Sequence, residues 1–176
     1  MKKIHFIGDL HFGDETIIKL ENRPFQNSLL QTMKICELWN RVVSYNDDVY
    51  IVGDFVNIDT ITKEEVDIIK KLKGNIYLIR GNHDTENDNY YTENFNIKKV
   101  IDTPILLDGF WIISHEPQYI NKNFPYANVF AHVHNNPMYN THSCRSYCVS
   151  ADRIDFTPIE FNEIKNTVME DDLNQK

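Results

Sequence analysis

No stretch of this 176-residue sequence stays apolar long enough to cross a bilayer, which takes about 20 such residues. The opening MKKIHFIGD has two lysines and only a few apolar residues before Gly8 and Asp9, too few for the apolar part of a secretory signal. A soluble, cytoplasmic chain is therefore expected. Cysteine is scarce. Cys36, Cys144 and Cys148 cannot all pair with one another, and inside a cell they are expected to be reduced. The stretch HSCRSYC gathers His142, Cys144 and Cys148, but three donors at this spacing fall short of a four-ligand zinc site. Basic charge is short too: 18 Lys and Arg against 26 Asp and Glu give a net charge of −8. Sequence-independent binding along nucleic acid, which draws its affinity from basic surface, is disfavoured. A nucleotide or a chain end is not excluded, because bound metal ions reverse the potential locally. No linker or low-complexity segment interrupts the chain. One domain is expected over residues 1–165, followed by a polar, acidic tail at 166–176.

What is present is one organisation used repeatedly. KKIHFIGDLH, DDVYIVGDF, NIYLIRGNHD, GFWIISHEP and ANVFAHVH each begin with an apolar, β-branched or aromatic run and close on Asp, Asn or His. Such runs read as strands buried on both faces. Helical signals lie between them. SLLQTMKICELWNRVVS places Leu29, Leu30, Met33, Trp39, Val42 and Val43 on an approximately helical period, with Ser28 and Gln31 spaced as a capping box. TKEEVDIIKKL repeats that spacing with Thr62 and Glu65, turns Val66, Ile69 and Leu72 inward, and is followed by Gly74. Trp39 is expected in the core. YCVSADRIDFTPIEF reads as two further strands with a turn near Asp152 and Arg153. Strands alternating with helices indicate an α/β fold.

In open α/β sheets the reactive groups gather beyond the carboxyl ends of the strands. The endings supply Asp9 and His11; Asp54; Asn82, His83 and Asp84; His115; and His132 with His134. In DLH and HVH the donors are two residues apart, so on an extended chain they share a face. Carboxylates and imidazoles without thiolates suit a divalent Mn, Fe, Zn, Ni or Mg ion. There are too many donors for one tetrahedral ion. Two ions sharing a carboxylate fit better, and Asp54, which comes singly, is the natural bridge.

GDLH, GDF, GNHD, SH and AHVH occur in the order and approximate spacing of the calcineurin-like metallophosphoesterases, and with NRPF and LWN the chain resembles a small bacterial and phage branch of single-domain phosphoesterases. The resemblance implies a sandwich of two mixed β-sheets flanked by helices. It implies that Asp9, His11 and His134 hold a first metal, that Asn82, His115 and His132 hold a second, and that Asp54 bridges them. His83 takes the role of general acid, oriented by Asp84. Asn82 and Arg23 are the expected phosphate contacts, the guanidinium of Arg23 suiting phosphate geometry. Arg80, His5 and His142 are expected in structural or surface roles.

The chemistry implied is hydrolysis of a phosphomonoester or phosphodiester, small or nucleotide-like. Two ions about 3.5–4 Å apart share a hydroxide whose pKa they lower together, and it attacks phosphorus directly. Manganese is the first choice of metal. The length leaves no segment for a separate cap domain, so an open site is expected. Phosphoprotein phosphatase activity is the alternative within enzymes. A catalytically silent interaction scaffold is the alternative outside them, and it would lack a ligand or the general acid. Two positions depart from the branch pattern: Ala131 precedes His132 where glycine is usual, and Asp14 stands in HFGD where histidine is usual.

Overall fold

In the computed structural model, which describes residues 2–139 and 145–174, all five apolar runs are strands. They are β1 (Ile4–Ile7), β2 (Asp48–Val52), β3 (Asn75–Ile79), β6 (Trp111–Ser114) and β7 (Ala127–Phe130). Four further strands complete two sheets: β4 (Ile97–Ile101), β5 (Ile105–Leu107), β8 (Ser146–Cys148) and β9 (Ile159–Glu160). The first sheet has the order β4-β3-β2-β1-β9 and the second β5-β6-β7-β8. Strands β1 to β4 run parallel, with β9 antiparallel on β1, and β6 to β8 run parallel, with β5 antiparallel on β6. This is the expected sandwich of two mixed sheets.

Side-chain alternation divides the core. On β1, Ile7 joins Val49, Ile51 and Leu78 in a layer beneath helices α2 (Ser28–Val42), α3 (Lys63–Ile69) and α4 (Asp88–Phe95). Its neighbour Phe6 turns the other way. With Val52 and Ile79 it meets Trp111, Ile113 and Val129 of the second sheet and Phe161, Ile164 and Val168 of α5 (Phe161–Asn174). Each such fully buried side chain contributes about 1.5–3 kcal/mol. Among the described residues no helix is long and apolar enough to cross a membrane.

Several local expectations need correction. The buried stripe of α2 is Gln31, Thr32, Ile35, Cys36 and Trp39, whereas Leu30, Met33 and Val42 face outward. Its N-cap is Asn27, which accepts from Leu30 N–H, and not Ser28. Gln31 is drawn inward to Arg23 and to the carbonyls of Leu10 and His11. The capping box of α3 forms as expected from Thr62 and Glu65. A short helix α1 (Glu15–Leu20) also forms, capped by Asp14. Helix α5 continues across residue 166, where composition had indicated a tail, and Val168 packs into the core. His142 and Cys144 lie outside the described residues; Cys36 and Cys148 are free thiols.

The two sheets join where the site lies. Past β1, Gly8 N–H donates to Val149 O at 2.8 Å and Gly8 O accepts from Ala151 N–H at 2.9 Å. A Cβ on Gly8 would overlap the methyl of Ala131. Alanine is accommodated at 131 because the glycine stands across from it, and Ala131 has no positive φ.

Candidate metal centre

The polar endings converge, though not by strand alternation. Asp9, His11, Asp54, His132 and His134 all lie past their strands with φ of 54°, 46°, 55°, 73° and 45°. Left-handed backbone is uncommon for any residue with a Cβ and concentrates at functional sites. It swings these side chains off the sheet and toward one another.

Two groups of donors result. Asp9, His11 and His134 form one, and Asp54, His115 and His132 the other, with donor atoms within 4.8 Å of one another in each. The H-x-H pair is thus split between groups. Asn82 joins the second: its Oδ1 is 3.0 Å from both His115 Nε2 and His132 Nδ1, which are themselves 3.0 Å apart. Asp54 lies between the groups, its Oδ2 3.5 Å from His11 Nε2 and 3.4 Å from His115 Nε2.

These spacings test whether a metal fits. Metal–donor bonds of about 2.1 Å give donor–donor edges of about 3.0 Å in an octahedron and about 3.4 Å in a tetrahedron. The separations among Asn82, His115, His132 and Asp54, and from Asp54 to His11, fall on or close to those edges. The donors also share a polarity: His115 Nδ1 donates to Val52 O at 2.9 Å, so in the neutral ring Nε2 faces the oxygens of Asn82 and Asp54 as an acceptor among acceptors. His11 Nε2 is buried with no hydrogen-bond partner at all. An uncompensated cluster of this kind demands positive charge.

The surroundings of the ionisable groups act in the same sense. Burial pushes His115 down, but the Asp54 and Asp9 carboxylates and the Val52 carbonyl outweigh it and raise its pKa to about 9. Burial pushes Asp54 up, yet His115, His11 and the His83 N–H hold it at about 2. His11 is lowered to about 3, chiefly by burial, and so is neutral and ready to ligate. Asp9 is raised, again chiefly by burial, against the pull of His134 and His115. Carboxylates, an amide oxygen and imidazole nitrogens gathered in so small a volume fit a divalent ion.

A sequence profile of the calcineurin-like phosphoesterases matches residues 2–175. The chain belongs to that family. An uncharacterized protein of Methanocaldococcus jannaschii is 34% identical over 137 residues, covering 73% of this chain and 77% of that protein. A protein of unknown function from Aquifex aeolicus shares the fold, with a TM-score of 0.72 at 23% identity over 95% of this chain and all of the other.

Within this calcineurin-like phosphoesterase, Asp84 and Arg23 do not sit as expected. Asp84 does not touch the imidazole of His83. Its carboxylate accepts from the N–H groups of Asp54, Phe55 and Gly81 at 2.8, 3.0 and 2.9 Å, so it pins the β2 and β3 endings together. His83 is exposed, its N–H donates to Asp54 Oδ1 at 2.9 Å, and its ring lies 5.3 Å from that of His11. Arg23 is buried and makes no approach to a substrate position, because all of its donors are taken inside the protein. Arg80 is structural as expected, bonded to Asp102, Asp88 and the carbonyl of Asp84.

Two participants gave no signal in the sequence. Asp152 Oδ2 accepts from His134 Nδ1 at 2.9 Å, and Ser150 Oγ donates to Asp9 Oδ2. Both sit in the turn after β8, where no motif marks them. Asp14 caps α1 and accepts from Asn57. With His11 and His83 it lines a cavity of about 230 Å³ beside the first group.

Proposed function

We propose that this phosphoesterase hydrolyses a small phosphomonoester or phosphodiester at a centre of two divalent ions. The observation that carries the reading is the position of Asp54 Oδ2, within 3.5 Å of an imidazole nitrogen from each donor group. Asp9, His11 and His134 would hold one ion, and Asn82, His115 and His132 the other. When bound, the ions supply charge that activates water and neutralises phosphate oxygens.

The chain's own residues supply the rest. Asp54 is fixed through its N–H by Asp84 and through its Oδ1 by the His83 N–H, so its free oxygen stays aimed between the groups. His83, exposed beside His11 and outside the ligand set, is placed to give a proton to the leaving oxygen. Asn82 offers a neutral amide to the phosphate. The organic part of the substrate enters the cavity beside His11 and His83, which among the described residues no lysine or arginine lines and which Asp14 and Asp59 make acidic. A substrate carrying one phosphoryl group, such as a cyclic nucleotide or another small diester, suits it better than one carrying additional phosphates. Retention of His83 and of every proposed ligand weighs against a silent scaffold.

The test compares an aryl phosphomonoester with an aryl phosphodiester as substrates of the purified protein in Mn²⁺. Turnover of at least one is expected, with loss in Asp54→Asn. Tight metal binding without turnover of either would overturn the reading.

A further inference from the structure

The NRPF motif is left without a task at the substrate, yet it is among the most tightly held parts of the molecule. The Arg23 guanidinium has no solvent exposure, and its five N–H donors find five acceptors. Nε and Nη2 form a fork on Asp152, each at 2.8 Å. Nη2 also reaches Asp9 O at 2.7 Å, and Nη1 reaches Leu10 O at 3.0 Å and Gln31 Oε1 at 3.1 Å. The Phe156 ring covers the guanidinium at 5.5 Å, and Phe25 of the same motif packs edge-on against Phe156.

Both ends of this chain of bonds arrive at one donor group. At one end the guanidinium grips the carbonyls of Asp9 and Leu10, within a turn where Asp9 and His11 are both left-handed. At the other end Asp152 Oδ2 accepts a hydrogen bond from His134 Nδ1, which fixes the tautomer and leaves Nε2 free to serve as the donor in the group with Asp9 and His11. Asp9 and His134 lie far apart in the sequence, and both need help to hold strained backbone. The second group is oriented mainly by other means, although the His132 N–H donates to Asp9 Oδ1 at 3.0 Å. His115 leans on Val52 O, and Asp54 is held by Asp84 and His83.

We propose that Arg23 and Asp152 are positioning residues that assemble the Asp9–His11–His134 half of the centre and leave the Asp54–His115–His132 half largely alone. The pair is electrically neutral as a unit, so it brings two charges into the interior without adding net charge to an already acidic cluster. A lysine at 23 would not replace the arginine, since an ammonium offers three donors and no fork.

This inference rests on the two-ion reading, and one experiment separates the two. Mn²⁺ is titrated calorimetrically into the chelator-stripped full-length protein, the Asp152→Asn variant, and the double variant Arg23→Met, Asp152→Asn. The double variant removes both charges and so avoids stranding one of them in the interior. Two ions are expected in the wild type. In both variants one site should weaken by about 10–100-fold while the other stays within about twofold. Equal weakening of both sites, or of neither, with two ions in the wild type would overturn the clamp alone. Fewer than two ions in the wild type would overturn the two-ion reading and the clamp with it.

Discussion

At the scale of single residues, the sharpest division is between His83 and the histidines around it. His11 and His115 are buried and face the carboxylates, whereas His83 is exposed and engages Asp54 only through its backbone N–H. Alanine at 83 keeps that N–H. His83→Ala is therefore expected to retain both ions, measured by elemental analysis after gel filtration, while its turnover number falls by about 10²–10⁴-fold, the usual worth of a general acid. Loss of an ion would instead make His83 a ligand. The residues that converge were legible because D-x-H, G-N-H-D and H-x-H are hard to explain as turns when each closes an apolar run. The partners behind them were not. Asp152 lies 129 positions from Arg23 and 18 from His134, and only the fold brings the three together. Asp84 was read as the partner of a neighbouring side chain, when the unpaired N–H groups at two strand ends had the stronger claim on its carboxylate.

Elements set how near these residues can come. Strand β3 ends at Ile79, and Gly81 then passes so close to the end of β2 that a Cβ there would overlap Asp54 Oδ1 and lie 2.6 Å from Asp54 N. The backbone cannot retreat, because both N–H groups share the Asp84 carboxylate. Gly81→Ala should thus cost about 1–3 kcal/mol through overpacking and should displace the shared carboxylate. Denaturant unfolding reads the first effect, and a lowered Mn²⁺ affinity reads the second. Gly109→Ala is the matched control: a Cβ there meets nothing within 4 Å, and its φ of 68° should cost only about 1–2 kcal/mol, without effect on metal binding. The apolar runs announced their strands because burial on both faces leaves few polar positions. Strands β4 and β5 went unread, since Lys98 and Lys99 interrupt the first and the second is three residues long. On α2 the apolar count pointed to the wrong stripe: Gln31 and Thr32 are buried through hydrogen bonds to Arg23 and Glu65, which periodicity alone does not register.

Across the whole molecule, one ionisable group lies at the opposite end of β1 from the donor groups and makes stability respond to pH. His5 is buried, neither of its ring nitrogens has a hydrogen bond, and its nearest charged neighbour, Asp47 Oδ2, is 3.5 Å away. Asp47 spends its oxygens on the N–H groups of Lys3 and Ser44. Burial lowers the His5 pKa; Asp47 and Glu160 oppose this without overcoming it, and Lys3 adds to the lowering. The folded protein therefore holds His5 neutral over a range in which the unfolded chain binds a proton. Above the unfolded pKa of 6.5 both states are neutral and nothing is lost. As pH falls below it, the unfolded state gains the proton first and stability declines, by at most about 1.4 kcal/mol per pH unit for one group, until the folded-state pKa is passed. Comparing wild type with His5→Phe by denaturant unfolding at several pH values between 8 and 5 isolates this group, because the histidines of the metal centre are common to both proteins. The wild type should lose stability relative to the variant as pH drops below about 6.5. A wild type that instead gains stability relative to the variant as pH falls from 8 toward about 6.5 would mean that His5 is protonated within the fold and paired to Asp47 as an ion. A difference that stays constant from pH 8 to 5 would mean that folding leaves its pKa unmoved.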